Sequence, residues 1–299
     1  MIDLNELINR IWKITWKHKI LWGAGFLTLL VTFLFIPLMF IPVFLLLGSN
    51  DSYRTLNEVW PWVLMLCGFA FFIAASYVIS SIMRPALVLG ALKAERGAEK
   101  LSDGELLREA AVYFWRFLGL MLLFFVTFMV VYAVIMGIQM VASMLTLGLA
   151  SMCMLPLSFL VYPLLYAAMA VMELAEASMV VDGLGVMEAL RRAWDLVLKN
   201  KMSVLLVALI LYVGLALLSS FITVPVFMPI GFLPMLIIED ILPRNFLWIF
   251  GLGYLVAIPI VAFVQGIVLA MMKIGWTLTY LRLSPPAASN APVFAEENA

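Results

Sequence analysis

Two glutamates one helical turn apart, Glu173 and Glu176 in the run MELAEAS, are the closest this chain comes to paired carboxylates. Residues three apart share a helix face, so as a functional pair they would bind a cation or relay a proton. The competing reading is a polar helix end emerging into water. The sequence favours that reading, because both residues close an apolar run. Glu239 and Asp240 read the same way at the end of another. His18 is the only histidine and sits in the basic N-terminal segment, which argues against a His-based metal centre or catalytic triad. It reads as a polar residue at a membrane interface. H-E-x-x-H, P-loop and G-x-S-x-G patterns are all missing. The expectation is a non-enzymatic protein with no catalytic residue, no metal and no cofactor.

Within the apolar runs the polar inventory is small: Gln139, Gln265 and scattered Ser, Thr and Tyr. A carrier driven by protons or ions usually buries an ionisable group near mid-membrane, because a charge there is costly. None is found away from the run ends. That argues against ion-coupled transport and leaves uncoupled substrate movement open. Gln139 and Gln265 are expected to hydrogen-bond between helices. Ala262, Gly266 and Ala270 recur at intervals of four, alongside Gly253 and Ala257. Such spacing lets backbones approach closely, here read as internal packing ahead of a homodimer face. Cys67 and Cys153 sit in apolar runs and read as small hydrophobes.

The elements that carry these residues follow from where charge is missing. Hydrophobic residues make up 66% of the 299-residue chain, and a bilayer core takes roughly 20 apolar helical residues to cross. Six stretches qualify: 20–47, 60–83, 117–143, 152–172, 203–228 and 247–272. The first carries Pro37 and Pro42, so a kink or early helix end is expected near Pro37. It is far too long for the apolar part of a signal peptide and lacks a small-residue cleavage site, so it reads as a retained span. The fold class is therefore all-α: one polytopic transmembrane domain over 1–283, with a tail at 284–299 whose Pro, Ala and Asn content reads as disordered. No room is left for a separate soluble domain.

Orientation follows from Lys and Arg. Of the 18 such residues, all but Arg54 and Arg244 fall on one side of this threading. Positive residues are retained on the cytoplasmic side, so both termini are expected there. The nine tryptophans fall near span ends or in flanking segments, where indole prefers the headgroup level.

A short pattern recurs before every second span. It reads DLNELINRIWKITWKHKI (Asp3–Ile20), SDGELLREAAVYFWRF (Ser102–Phe117) and GVMEALRRAWDLVLKNKM (Gly185–Met202). Aligning Glu6, Glu105 and Glu188 also aligns Ile8, Leu107 and Leu190, then Lys17, Arg116 and Lys199. Asp3, Ser102 and Gly185 read as N-caps with Glu three residues on. That is a capping box, complete for Ser102 and partial for Gly185. Apolar residues then recur at helical spacing, as at Leu7, Ile11 and Ile14, or Leu190, Ala193, Leu196 and Val197. Each helix is expected to lie in the interface plane with its apolar face in the acyl boundary. The architecture predicted is thus three transmembrane hairpins, each preceded by an amphipathic interfacial helix on the cytoplasmic side. The units share one orientation, so the symmetry expected is parallel.

Arg191, Arg192, Lys199 and Lys201 cluster in the third of these segments. They read as topology anchors or, more sharply, as a surface for phospholipid headgroups or a peripheral partner, since each basic residue near an anionic leaflet contributes about 1 kcal/mol. A formal net charge of zero gives no sign of nucleic-acid binding.

The segments GALKAERGAEKLSDGELL (Gly90–Leu107) and VVDGLGVMEALRRAWDLVLKN (Val180–Asn200), with the six-span layout, resemble the membrane domain attached to some bacterial glycerophosphoryl diester phosphodiesterases, and its stand-alone relatives. The resemblance covers most of the chain. It implies location in a bacterial cytoplasmic membrane and a membrane-module fold. Where that module accompanies a phosphodiesterase, the catalytic residues belong to a separate soluble domain, so none is carried over. The function expected is a structural or lipid-interacting module, with the bilayer, anionic lipids or a membrane or peripheral protein as partner. The alternative is a transporter or export component for an amphipathic or lipid-like substrate.

Overall fold

The computed structural model describes residues 3–31, 33, 60–146, 148–238 and 244–284. Among them the chain is helical, without strands. In order come α1 (Leu4–Lys17), α2 (Ile20–Val31), α3 (Trp60–Glu95), α4 (Asp103–Ala111), α5 (Phe114–Leu145), α6 (Leu149–Val181), α7 (Val186–Lys199), α8 (Lys201–Ala208), a π-helical stretch (Leu209–Gly214), α9 (Leu215–Ile238) and α10 (Arg244–Leu283). Five segments are long and apolar enough to cross a bilayer: Leu66–Glu95, Phe114–Leu145, Pro163–Val181, Lys201–Pro229 and Val256–Leu283. The protein is a multi-pass helical membrane protein. Of the expected first span, only the apolar helix α2 is described. The kink near Pro37 and Pro42, the acidic pair Glu239 and Asp240, and the tail beyond Ser284 lie outside the described residues.

Three helices run well past the ends expected from charge. α3 continues beyond Met83 to Glu95, α6 beyond Met172 to Val181, and α10 beyond Met272 to Leu283. At 36, 33 and 40 residues they exceed the roughly 20 needed to span hydrocarbon. The extra turns gather at one end of the molecule, together with α1, α4 and α7. The protein core sits there, built from Leu7, Ile11, Leu87, Phe117, Leu174, Ala193, Ile274 and their neighbours. Toward the other end the side chains turn outward and are apolar, as along Val126–Leu145 of α5. α6 and α10 are the inner pair and α3 and α5 the outer ones. Only 11% of the most apolar window of each outer helix is buried, against 56% and 44% for the inner ones.

The amphipathic helices form where expected, but their apolar faces meet protein, not lipid. Leu7, Ile11 and Ile14 of α1 are buried against the bundle, where α1 packs on α10. Ala189, Ala193 and Leu196 of α7 are buried likewise, with α6 as the main neighbour. The long helices project far enough to offer these faces a partner, so burial in protein replaces burial in acyl chains. What remains outside is a separate set: Ile8, Trp12, Trp16, Met187 and Trp194 are exposed.

The three starts are capped unequally. Asp3 accepts from the backbone N–H of Asn5 and Glu6 at 3.0 and 3.3 Å. Gly185 N–H donates to Glu188 at 3.4 Å, the half box that a glycine allows. The complete box expected at Ser102 does not form, since its hydroxyl makes no cap bond. Glu105 instead accepts from Lys93 Nζ at 3.2 Å, and Glu109 from the same nitrogen at 2.8 Å, so a bridge from α3 takes the carboxylate the box needed. Asp3→Ala should therefore cost about 1 kcal/mol, whereas Ser102→Ala should leave thermal unfolding in detergent unchanged. Equal shifts for the two would contradict this capping pattern.

Candidate functional site

The charges at which the apolar runs stop form the site. Arg84 on α3, Glu173 and Glu176 on α6, and Lys273 on α10 meet inside the bundle. Lys273 Nζ donates to the two oxygens of Glu173 at 2.9 and 2.8 Å, and also to Glu176. Arg84 NH1 donates to the other Glu176 oxygen at 2.7 Å. Lys273 is 1% exposed, Glu176 0% and Glu173 6%. The glutamate pair is thus not a helix end in water. It is the anionic half of a buried network, and the topology anchors Arg84 and Lys273 are its cationic half. Taking such charges from water costs several kcal/mol each, and only mutual pairing with good geometry compensates. Two cations and two anions leave the set balanced.

Local structure positions each member. Pro85 follows Arg84 within α3, where it withholds a backbone donor. Glu173 and Glu176 share one face of α6, as their spacing requires. Beside them the chain leaves α-helical geometry at Leu209–Gly214. Single π turns inside helices are frequently found at functional sites, and this one carries Tyr212. Among the described residues, the Tyr212 hydroxyl, the Trp276 indole N–H and Arg84 Nε are buried without a well-formed hydrogen bond, the first two lying close enough to interact with each other. The two rings lie 5.7 Å apart. Trp276, expected at a headgroup level, is 1% exposed within the core. Buried polar atoms without partners are rare enough to mark a place of interest.

A second feature lies outside this core. Phe124 of α5, Ala168 and Val171 of α6, and Leu190 and Trp194 of α7 line an open cleft of about 450 Å³, with Arg191 and Asp195 as its charged groups. The four basic residues expected to act together are not brought together. Arg191 is exposed and borders the cleft. Arg192 is half-buried and turns toward Tyr280 of α10, whose hydroxyl donates to Asp182. Lys199, the last residue of α7, and Lys201, the first of α8, are both exposed, and Lys199 lies about 12 Å along the axis from Arg191 by helical rise.

Gln265 donates to Thr223 Oγ1, joining α10 to α9. Gln139 stands half-buried on α5, with exposed apolar neighbours at Ile138 and Met140. Gly266 packs backbone to backbone against Gly25 of α2. His18 is buried between α1 and α2, and burial, followed by the charge of Lys17, holds its imidazole below the ordinary histidine range. Residue type and position in the chain show none of this for Arg84, Lys273 or Tyr212. The one available signal was that three apolar runs stop at charges of complementary sign on the same side.

A comparison with protein-family models, curated proteins and solved structures finds no match.

Proposed function

We propose that this chain is a six-span, non-enzymatic, lipid-interacting module of a bacterial cytoplasmic membrane, with both termini inside and its spans arranged as three hairpins. The single observation that carries the lipid reading is the cleft between α5, α6 and α7. Its floor is hydrocarbon and aromatic, from Phe124, Ala168, Val171, Leu190 and Trp194, and Arg191 stands at its rim. That combination suits an acyl chain lying along the floor and a phosphate beneath the guanidinium, which matches phosphate geometry with paired donors. Its volume lies within the range of small-molecule sites. The bias of Lys and Arg to one side supports the orientation. The alternative of an export component calls for a polar path beside Gln139 or Gln265, and Gln265 is engaged with Thr223.

The test is the native mass spectrum of the detergent-purified protein. An anionic phospholipid should be retained. A charge-assisted hydrogen bond contributes about 1.5–3 kcal/mol, so Arg191→Ala should lower retention about tenfold or more. Ala168→Phe, which fills the floor, should lower it too, while Arg192→Ala should change it little. Lipid content that merely mirrors the bulk membrane, or is indifferent to Arg191, would reduce these residues to topology anchors.

A further inference from the structure

The four charges of the buried network are not held alike. Glu176 is clamped from two sides, by Arg84 at 2.7 Å and by Lys273. A guanidinium does not release its proton in a protein, so Glu176 keeps a permanent counter-charge. Among the described residues Glu173 is bonded to Lys273 alone, through both carboxylate oxygens. It also keeps a trace of exposure that Glu176 lacks. The charge that is free to change is therefore that of Glu173. The titratable and charged groups around it are Arg84 from α3, Glu176 from its own helix, Tyr212 from the π-helical stretch and Lys273 from α10. Tyr212 is 8% exposed and stands in the field of both carboxylates, with Trp276 beside its ring.

We propose that Glu173 is a proton-binding site that links proton occupancy to the packing of α6 on α10. Solvent supplies the proton and takes it back, and the only bond made or broken is the carboxyl O–H. On binding, Glu173 becomes neutral, Lys273 keeps its three protons, and Glu176 becomes its sole counter-ion. The network passes from neutral to singly positive. The Arg84–Glu176 pair is untouched, so α3 stays fastened to α6 while one of the two ionic ties from α6 to α10 is released.

Infrared difference spectroscopy of the full chain in lipid nanodiscs, titrated from alkaline to acid pH, reads this directly. A buried protonated-carboxyl band should rise reversibly in the wild type and be lost in Glu173→Gln. Glu173→Asp keeps a carboxylate in the network, so the fold should persist while the band shifts in frequency. A wild type without such a band would overturn the proposal, leaving the network a fixed ionic fastening. A band that survives Glu173→Gln would overturn it by assigning the proton elsewhere. Should Glu173→Gln fail to fold, Glu173→Asp decides, and an unmoved band sinks the idea.

Discussion

Lys273→Ala should destabilise the protein by about 3–5 kcal/mol, the range for removing one partner of a buried ion pair. The lysine is 1% exposed and serves both Glu173 and Glu176. Without it, two carboxylates share one cation, Arg84, which reaches only Glu176. Glu173 would then be a buried charge with no counter-ion. Removing both members of that tie is a different operation. Lys273→Met combined with Glu173→Gln leaves the Arg84–Glu176 pair balanced and keeps most of the volume, so it should recover the larger part of the loss. Thermal unfolding of the detergent-purified protein, followed through tryptophan fluorescence, makes the comparison. A Lys273→Ala protein that melts within about 0.5 kcal/mol of wild type, the usual range for surface changes, would mean the network is solvated.

Gly25→Leu and Gly266→Leu should each separate α2 from α10. A Cβ on Gly25 would stand 2.1 Å from the carbonyl oxygen of Gly266, and one on Gly266 would stand 2.5 Å from the backbone N of Phe26. The obstacle on each side is backbone, which cannot rotate away as a side chain does. Overpacking a formed core costs about 1–3 kcal/mol when side chains adjust, and the cost here should reach or exceed the top of that range. Gly23 has nothing within 4 Å of its added Cβ, so Gly23→Ala serves as the neutral control on the same helix. Disulfide trapping between cysteines placed on α2 and α10 should fail in the Gly25 and Gly266 variants and survive in the control. Efficient trapping in all three would show that these backbones do not meet.

Both results concern contacts whose residues were visible in the sequence and whose partners were not. Gly266 stood out from the four-residue spacing it shares with Ala262 and Ala270, and internal packing was the reading preferred. That spacing is a property of one helix. It says nothing of Gly25, which sits 241 positions away in the chain and lies in no such repeat. The charged network is the more instructive case. Three of the six expected spans ended at Met83, Met172 and Met272, immediately before Arg84, Glu173 and Lys273. An isolated charge is expensive to bury, so a single-helix reading stops there. The cost is offset only when another helix brings the opposite charge to the same depth, and that is a three-body arrangement.

The amphipathic segments divide in the same way. Their starts at Asp3, Ser102 and Gly185 and their apolar faces were legible, because caps and helical periodicity are local. The destination of those faces was not, since a greasy stripe is equally satisfied by acyl chains or by protein. Helices 33 to 40 residues long supplied the protein. By itself, then, the sequence determined a helical, multi-pass membrane protein and the starts of its amphipathic helices, both of which follow from composition and near-neighbour spacing. The tertiary structure alone decided that Arg84, Glu173, Glu176 and Lys273 lie together and dry, that Arg191 parts company with Arg192, and that a cleft opens between α5, α6 and α7. Those outcomes depend on which helices face one another, and pairing energies between distant residues leave no periodic mark on the chain.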